Sequence, residues 1–284
     1  MTTSLDGFDL VTPPSLDEAL ALLASDHSTR PFAGGTDIMV QLEGGHLPAT
    51  RYVNLWGLAE LRGITESPDV ITIGALTTYT EVRRSDLLAR EYPLLLRAAE
   101  ETGGIATQNR GTLGGNIANA SPAADTPPVL LVYDAELELR STAGTRRVPY
   151  TTFHTAYKRM VLAPGEIISR ILLPRRTGWR DYYRKVGPRR AQAISKVCFA
   201  GSIAPSGDTV RDVRVALGSV APVVVRAVQV ESELRGKSLN EEAIAAAEAA
   251  LRSAIEPIDD LRSTAEYRLR VAANLLREFL SESQ

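Results

Sequence analysis

The chain has 284 residues, with 34 acidic against 32 basic side chains and a formal net charge of −2. Hydrophobic residues make up 44% and charged ones 23%, the balance of an ordinary soluble globular protein, and a sequence pI of about 6.0 argues against a nucleic-acid binder working through a basic face. A single cysteine, Cys198, excludes an internal disulfide and is too few for a Cys-rich zinc site or an iron–sulfur cluster, which needs about four ligands.

At roughly 100–200 residues per domain the length suggests two domains. No apolar run reaches the roughly 18 residues of a membrane-spanning helix. Met1 to Phe8 is polar and acidic, without the basic start and apolar centre of a signal peptide. The expectation is a soluble, cytoplasmic protein.

In chain order, Ser15-Leu16-Asp17-Glu18 has the form of a capping box, with Leu16, Ala19, Leu20 and Leu23 following at helical spacing. A helix is predicted over 16–25. Pro31-Phe32-Ala33 approaches a first glycine pair, and a helix is predicted over 37–42. Strands are predicted over 52–55 and 70–73, and helices over 80–86 and 93–102. Residues 136–140 and 146–150 flank Ala143-Gly144 as a hairpin, and 167–173 reads as a strand ended by Pro174. Seven basic residues then fall between 175 and 190 (Arg175, Arg176, Arg180, Arg184, Lys185, Arg189, Arg190), and the domain boundary is placed near their start. Antiparallel strands are predicted over 193–203 and 210–217. An Ala-rich helix follows over 240–253, and Ser263-Thr264-Ala265-Glu266 reads as a capping box for a last helix ending near 280. The elements do not alternate as regular βαβα units, so the expected class is α+β.

Glycine is unevenly spread. Thirteen of the 21 lie in the first 115 residues, including the doublets at 34–35, 44–45, 103–104 and 114–115. Glycine permits positive φ and close approach of a ligand to the main chain. Ala33-Gly34-Gly35-Thr36-Asp37 sits between a strand and a helix, where successive amides form an anion nest; an ordinary strand-to-helix turn is the plain alternative. Thr112 to Pro128 is a long run of small and polar residues, predicted to form no conventional core element and to be costly to order without a ligand. Thr112 with the Gly114 and Gly115 amides suits a second phosphate, and Asp125 a ribose. Two such loops about 80 residues apart fit a dinucleotide gripped from two sides. No Gly-x-Gly-x-x-Gly, Walker loop or Gly-x-Ser-x-Gly occurs. His27, His46 and His154 lack metal-ligand spacing and read as surface or loop residues. Cys198, between Val197 and Phe199, reads as core.

The two loops together resemble the FAD-binding medium subunits of molybdenum hydroxylases, the xanthine dehydrogenase and aerobic carbon monoxide dehydrogenase family within the vanillyl-alcohol-oxidase-like flavoproteins. The run Thr112-Leu113-Gly114-Gly115-Asn116-Ile117-Ala118-Asn119-Ala120-Ser121-Pro122-Ala123-Ala124-Asp125-Thr126-Pro127-Pro128 carries the resemblance most specifically. It continues through Pro164-Gly165-Glu166-Ile167-Ile168, Tyr183-Arg184-Lys185 with Arg189-Arg190, and Asp260 to Arg268. The resemblance implies a two-lobed FAD-binding domain of the PCMH type over 1–176, split near 57, and a C-terminal α+β domain over 177–284 with an antiparallel sheet and helices. It implies that Ala33, Gly34, Gly35, Thr36 and Asp37, with Thr112, Gly114, Gly115 and Asn116, hold the diphosphate of a non-covalent FAD. Asp125 would lie at the ribose or adenine end, Ile167 and Ile168 by the flavin ring, and Lys185 near the ring as a tuning cation. It further implies a large molybdopterin subunit and a small subunit with two [2Fe-2S] clusters, in a dimer of heterotrimers, passing electrons through FAD to NAD or another acceptor. A stand-alone flavoprotein using Tyr157, Tyr182 or Tyr183, and a non-catalytic structural subunit, are the alternatives.

Overall fold

The computed structural model describes residues 7–47, 49–189 and 192–283; Arg190 of the expected motif lies outside them. The first lobe holds β1 (Asp9–Val11), α1 (Leu16–Ser25), β2 (Arg30–Phe32), α2 (Ile38–Glu43) and β3 (Arg51–Asn54). Its strands form a parallel sheet in the order β1-β3-β2. Parallel neighbours need crossovers, so this lobe does alternate strand and helix, unlike the rest of the chain. Ser15 caps α1 by accepting the Glu18 N–H at 3.3 Å. The buried stripe Leu16, Ala19, Leu20 and Leu23 packs on Val53, Leu55, Leu58 and Leu61 to make a small core.

The second lobe is an antiparallel sheet of β4 (Ile64–Glu66), β5 (Val70–Gly74), β6 (Glu136–Ser141), β7 (Gly144–Pro149) and β10 (Ile167–Pro174), in the order β4-β5-β10-β6-β7. The short pair β8 (His154–Ala156) and β9 (Arg159–Met160) lies beside it. Between β5 and β6 come α3 (Tyr79–Arg83), α4 (Asp86–Glu91), α5 (Pro93–Glu101), α6 (Ile105–Arg110), α7 (Leu113–Asn119) and α8 (Pro127–Val132). The helix expected over 80–86 is two helices. Thr78 and Glu81 make a reciprocal capping box on α3, and Ser85 caps α4 by accepting the Leu88 N–H.

The stretch 112–128 departs from expectation more sharply. It contains α7 and leads into α8, and both belong to the core. Leu113 and Ile117, four apart and therefore on one helix face, are fully buried, as are Val129 and Leu130. Small residues permit this: a Cβ on Gly114 would lie 2.6 Å from the Ala75 Cβ, so only glycine lets α7 sit so close to the end of β5.

The C-terminal sheet is antiparallel, in the order β11-β12-β13-β14, with β11 (Arg180–Val186), β12 (Val197–Ser206), β13 (Thr209–Gly218) and β14 (Val225–Arg226). Part of the basic stretch is thus strand β11, and β12 begins at 197 where 193 was expected. Helices α9 (Val228–Leu234), α10 (Glu241–Ala254) and α11 (Ala265–Glu282) accompany the sheet. Thr264, not Ser263, caps α11, accepting the Tyr267 N–H at 3.2 Å; the Ser263 N–H donates instead to Asp260. Cys198 is fully buried, and burial pushes its thiol pKa far up. Tyr183, Cys198, Ala200, Ala216 and Val224 join the core of the second lobe, and the Ser219 N–H donates to the Pro122 carbonyl at 2.8 Å. No helix among the described residues is long and apolar enough to cross a membrane.

Candidate cofactor site

The two lobes enclose a groove of about 1100 Å³, somewhat larger than the roughly 300–1,000 Å³ typical of small-molecule sites. Residues 33–37 are among its lining, as are Thr112, Gly114, Gly115, Asn116, Ile167 and Ile168. The first loop leaves β2 and enters α2. Gly35 has φ +78°, and Gly34 passes so near the second lobe that a Cβ there would lie 1.8 Å from the Arg110 carbonyl oxygen. Among the described residues, the main-chain amides of Gly34, Gly35, Thr36 and Asp37 donate to no protein acceptor. Four successive donors without a protein acceptor, in residues that line the groove, are the material of an anion nest.

The second loop is built differently. Thr112 is the N-cap of α7, and its Oγ1 accepts the Gly115 N–H at 3.1 Å. The Gly114 N–H donates to the Ala75 carbonyl at 2.8 Å, and the Asn116 N–H to the Thr112 carbonyl at 2.9 Å. Its amides are therefore already paired within the fold. Gly115 contributes a bare surface: a Cβ there would meet Thr112 Oγ1 at 2.8 Å and stand 3.9 Å from the Ala33 Cβ of the facing loop. Asn116 accepts the Thr126 hydroxyl at 2.8 Å.

Side chains tie the rims together. Asn119 Nδ2 donates to Asp37 at 3.0 Å, and Gln41 donates to the other Asp37 oxygen. Lys158, itself at φ +55°, donates to the Asn119 carbonyl and Oδ1 at 2.7 and 2.6 Å. Its partial burial lowers the ammonium pKa. Ile167 and Ile168 are buried ends of β10, aimed by the turn before them. Gly165 there has φ +78°, and Glu166 accepts both Arg146 nitrogens at 2.6 Å and the Ala163 N–H at 2.7 Å. The Arg146 bonds hold the Glu166 carboxyl below its usual pKa.

Asp125 and Lys185 do not line the groove. Asp125 Oδ2 accepts Lys185 Nζ at 2.8 Å, and the same ammonium donates to the Glu101 carbonyl at 2.8 Å. Both side chains are buried. Burial raises the Asp125 pKa to about 6 against the pull of Lys185, and Asp125 Oδ1 has no hydrogen-bond partner. Thr102, next to Glu101, is a wall residue of the groove, so the pair stands one residue behind that wall. The sequence expectation set Asp125 at the ribose or adenine end and Lys185 by the flavin ring; the structure instead pairs the two with each other, outside the groove lining.

The histidines also differ from one another. His27 and His46 are exposed at the rim. His154 is half-buried on β8, its Nε2 donating to the Ile117 carbonyl at 2.9 Å, and burial lowers its pKa. Tyr157, Tyr182 and Tyr183 do not line the groove; Tyr183 is buried, and Tyr182 packs on Phe199 and Phe279. Sequence reasoning missed Tyr79, Arg30, Asn119 and Lys158 among the lining. The Thr78-x-x-Glu81 pattern signals the helix start that places Tyr79. Nothing local signals Lys158.

The chain is similar to known flavoprotein subunits over nearly its whole length. Residues 6–176 match the FAD binding domain in molybdopterin dehydrogenase. Residues 182–283 match the CO dehydrogenase flavoprotein C-terminal domain. The chain is 32% identical to the glyceraldehyde dehydrogenase medium chain of Sulfolobus acidocaldarius, over 97% of this chain and 98% of that one. It is 31% identical to the carbon monoxide dehydrogenase medium chain of Hydrogenophaga pseudoflava, over 96% of each. It also resembles the solved carbon monoxide dehydrogenase of that organism, with a TM-score of 0.92, 30% identity and 95% of each chain covered. The chain belongs to the FAD-binding medium subunits of the xanthine dehydrogenase and carbon monoxide dehydrogenase family, oxidoreductase subunits with a two-part α+β flavoprotein fold.

Proposed function

We propose that the groove holds one FAD non-covalently and that the chain is the electron-transfer subunit of a molybdenum hydroxylase complex. The observation that carries this reading is the row of four unpaired amides at 34–37 facing the bare surface of Gly115. In this reading residues 1–176 are the FAD-binding part, in two lobes divided near 57, and 177–284 the C-terminal domain. The 34–37 amides take the diphosphate, with Ala33 beside them. Thr112, Gly114, Gly115 and Asn116 form the facing wall, where α7 is held rigid by its cap and glycine leaves room. Ile167 and Ile168 exclude water from the ring. Lys185 acts from behind Thr102 at the ring end, and Asp125 fixes its position and balances its charge.

When bound, a flavin supplies a junction that takes electrons singly and releases them in pairs. This chain's single cysteine leaves it without an iron–sulfur wire of its own. Electrons then arrive from a small subunit with two [2Fe-2S] clusters and originate at a large molybdopterin subunit, in a dimer of heterotrimers in the cytoplasm. They leave to NAD or another acceptor. The test is the purified chain with added FAD. An absorbance band near about 450 nm that survives desalting is expected, and its absence overturns the reading. Reduction of that flavin by a small organic substrate with no other subunit present would favour the stand-alone alternative.

A further inference from the structure

Outside the groove, and absent from its lining, Trp56 lies where the two lobes meet. The Arg110 guanidinium is 3.7 Å from its ring centroid and that of Arg62 is 4.4 Å. Arg62 also donates to the Trp56 carbonyl at 2.8 Å and to the Leu76 carbonyl at 3.4 Å. Arg110 Nε reaches the Gly34 carbonyl at 3.4 Å. On the other side, the Ala75 carbonyl beside Leu76 receives the Gly114 N–H. A chain of contacts therefore runs from the first glycine loop through Arg110, Trp56, Arg62 and the 75–76 main chain to the second.

We infer that Trp56 and Arg110 are positioning residues that set the spacing and orientation of the two glycine loops for the bound dinucleotide. The inference rests on the FAD reading of the groove. Neither side chain touches the ligand space. The Trp56 face holds Arg110 over it by cation–π attraction. Arg110 then fixes the Gly34 carbonyl, and with it the plane of the peptide that carries the Gly35 amide. A nest works only while its donors converge on one point, so a small rotation of that peptide weakens anion capture without unfolding anything. Arg110 is exposed and Trp56 half-buried, which leaves the cores intact when either is changed.

The test compares the full-length chain with Trp56→Ala, Trp56→Phe and Arg110→Met. Measured are FAD affinity, FAD dissociation rate and the melting temperature without FAD. Trp56→Ala and Arg110→Met should each weaken FAD binding by at least about tenfold, mainly through faster dissociation, and leave the flavin-free melting temperature within a few degrees. Trp56→Phe should restore most of the affinity, because an aromatic face remains. A purely structural role would lower the melting temperature and leave the dissociation rate of the folded fraction unchanged. Should Trp56→Ala not fold, exposed Arg110 decides. Wild-type FAD affinity in Arg110→Met overturns the inference, and wild-type affinity in a folded Trp56→Ala does so as well. A wild-type chain that takes up no flavin fails the FAD reading itself, a result distinct from bound flavin that is indifferent to both substitutions.

Discussion

The two Gly-Gly pairs at 34–35 and 114–115 are spelled alike and do different work. In the first, Gly35 is needed for its positive φ and Gly34 for its closeness to the Arg110 carbonyl, and the amides around them stay unpaired. In the second, both glycines have ordinary helical backbone and both amides are consumed by the fold. Gly114 is there so that α7 can lie against Ala75, and Gly115 so that nothing stands between α7 and the groove. One loop offers donors and the other offers space. A glycine pair in a sequence signals a close approach, and only the hydrogen-bond accounting tells whether the approaching object is a ligand or another part of the chain.

Substitutions can break this distinction, and Gly34→Ala is expected to do the most damage. Its Cβ would collide with main chain that cannot swing away, so stability should fall by about 3 kcal/mol or more, with flavin binding lost; thermal melts and flavin content check both. Gly115→Val should abolish FAD binding, because the branched side chain fills the space opposite Ala33, and it should lower stability less than Gly34→Ala, its Cβ displacing the Thr112 hydroxyl that caps α7 and lies 2.8 Å away. Full flavin content in that variant would break the assignment of the facing wall. Gly35→Ala should cost about 1–2 kcal/mol from the left-handed backbone alone, with more from the Phe32 ring 2.7 Å from the new Cβ. Thr112→Ala removes a helix cap, worth about 1 kcal/mol, and should weaken FAD binding far less than Gly35→Ala does. An equal loss in the two would mean that the second loop donates to the ligand after all.

The smallest effect concerns the wall behind Thr102. Asp125 should titrate near pH 6, well above an ordinary aspartate. The folded state then binds a proton that the unfolded chain releases, so this group's contribution to stability is present below pH 4, lost as pH rises towards 6 and constant above it. Carboxyl-carbon NMR should show one aspartate midpoint near 6 that disappears in Asp125→Asn. A midpoint below 4 would show that Lys185 outweighs burial.

Much of this was legible in the sequence. Helix α1 announces itself through Ser15 and its apolar stripe, and the hairpin β6–β7 through Ala143-Gly144. Eleven of the thirteen site residues expected from the sequence line the groove, because the doublets at 34–35 and 114–115 mark where the main chain must come close to something. What was hidden is tertiary. Helix α7 has too few apolar residues to show a period and α8 is apolar all round; α7 exists because β10 covers it, and α8 because β12 and β13 do. The pairing of Asp125 with Lys185 spans 60 residues and leaves no local trace. The same is true of Trp56 and Arg110.

The shared core between the second lobe and the C-terminal sheet bears on how the molecule melts. Cys198, Ala200 and Ala216 fill space beneath the helix that follows the 112–125 run, and Ser219 holds the Pro122 carbonyl. The C-terminal sheet has its own core on the face towards α10 and α11, but its other face is covered only by the second lobe. A fragment ending at residue 176 would expose the apolar surface of α8 and lose the brace on one wall of the groove. The second lobe and the C-terminal domain should therefore come apart in a single calorimetric transition. The first lobe, whose small core is a distinct cluster closed by Leu76 and Ile167 of the second lobe, is the part able to loosen earlier and exchange its amide hydrogens on its own.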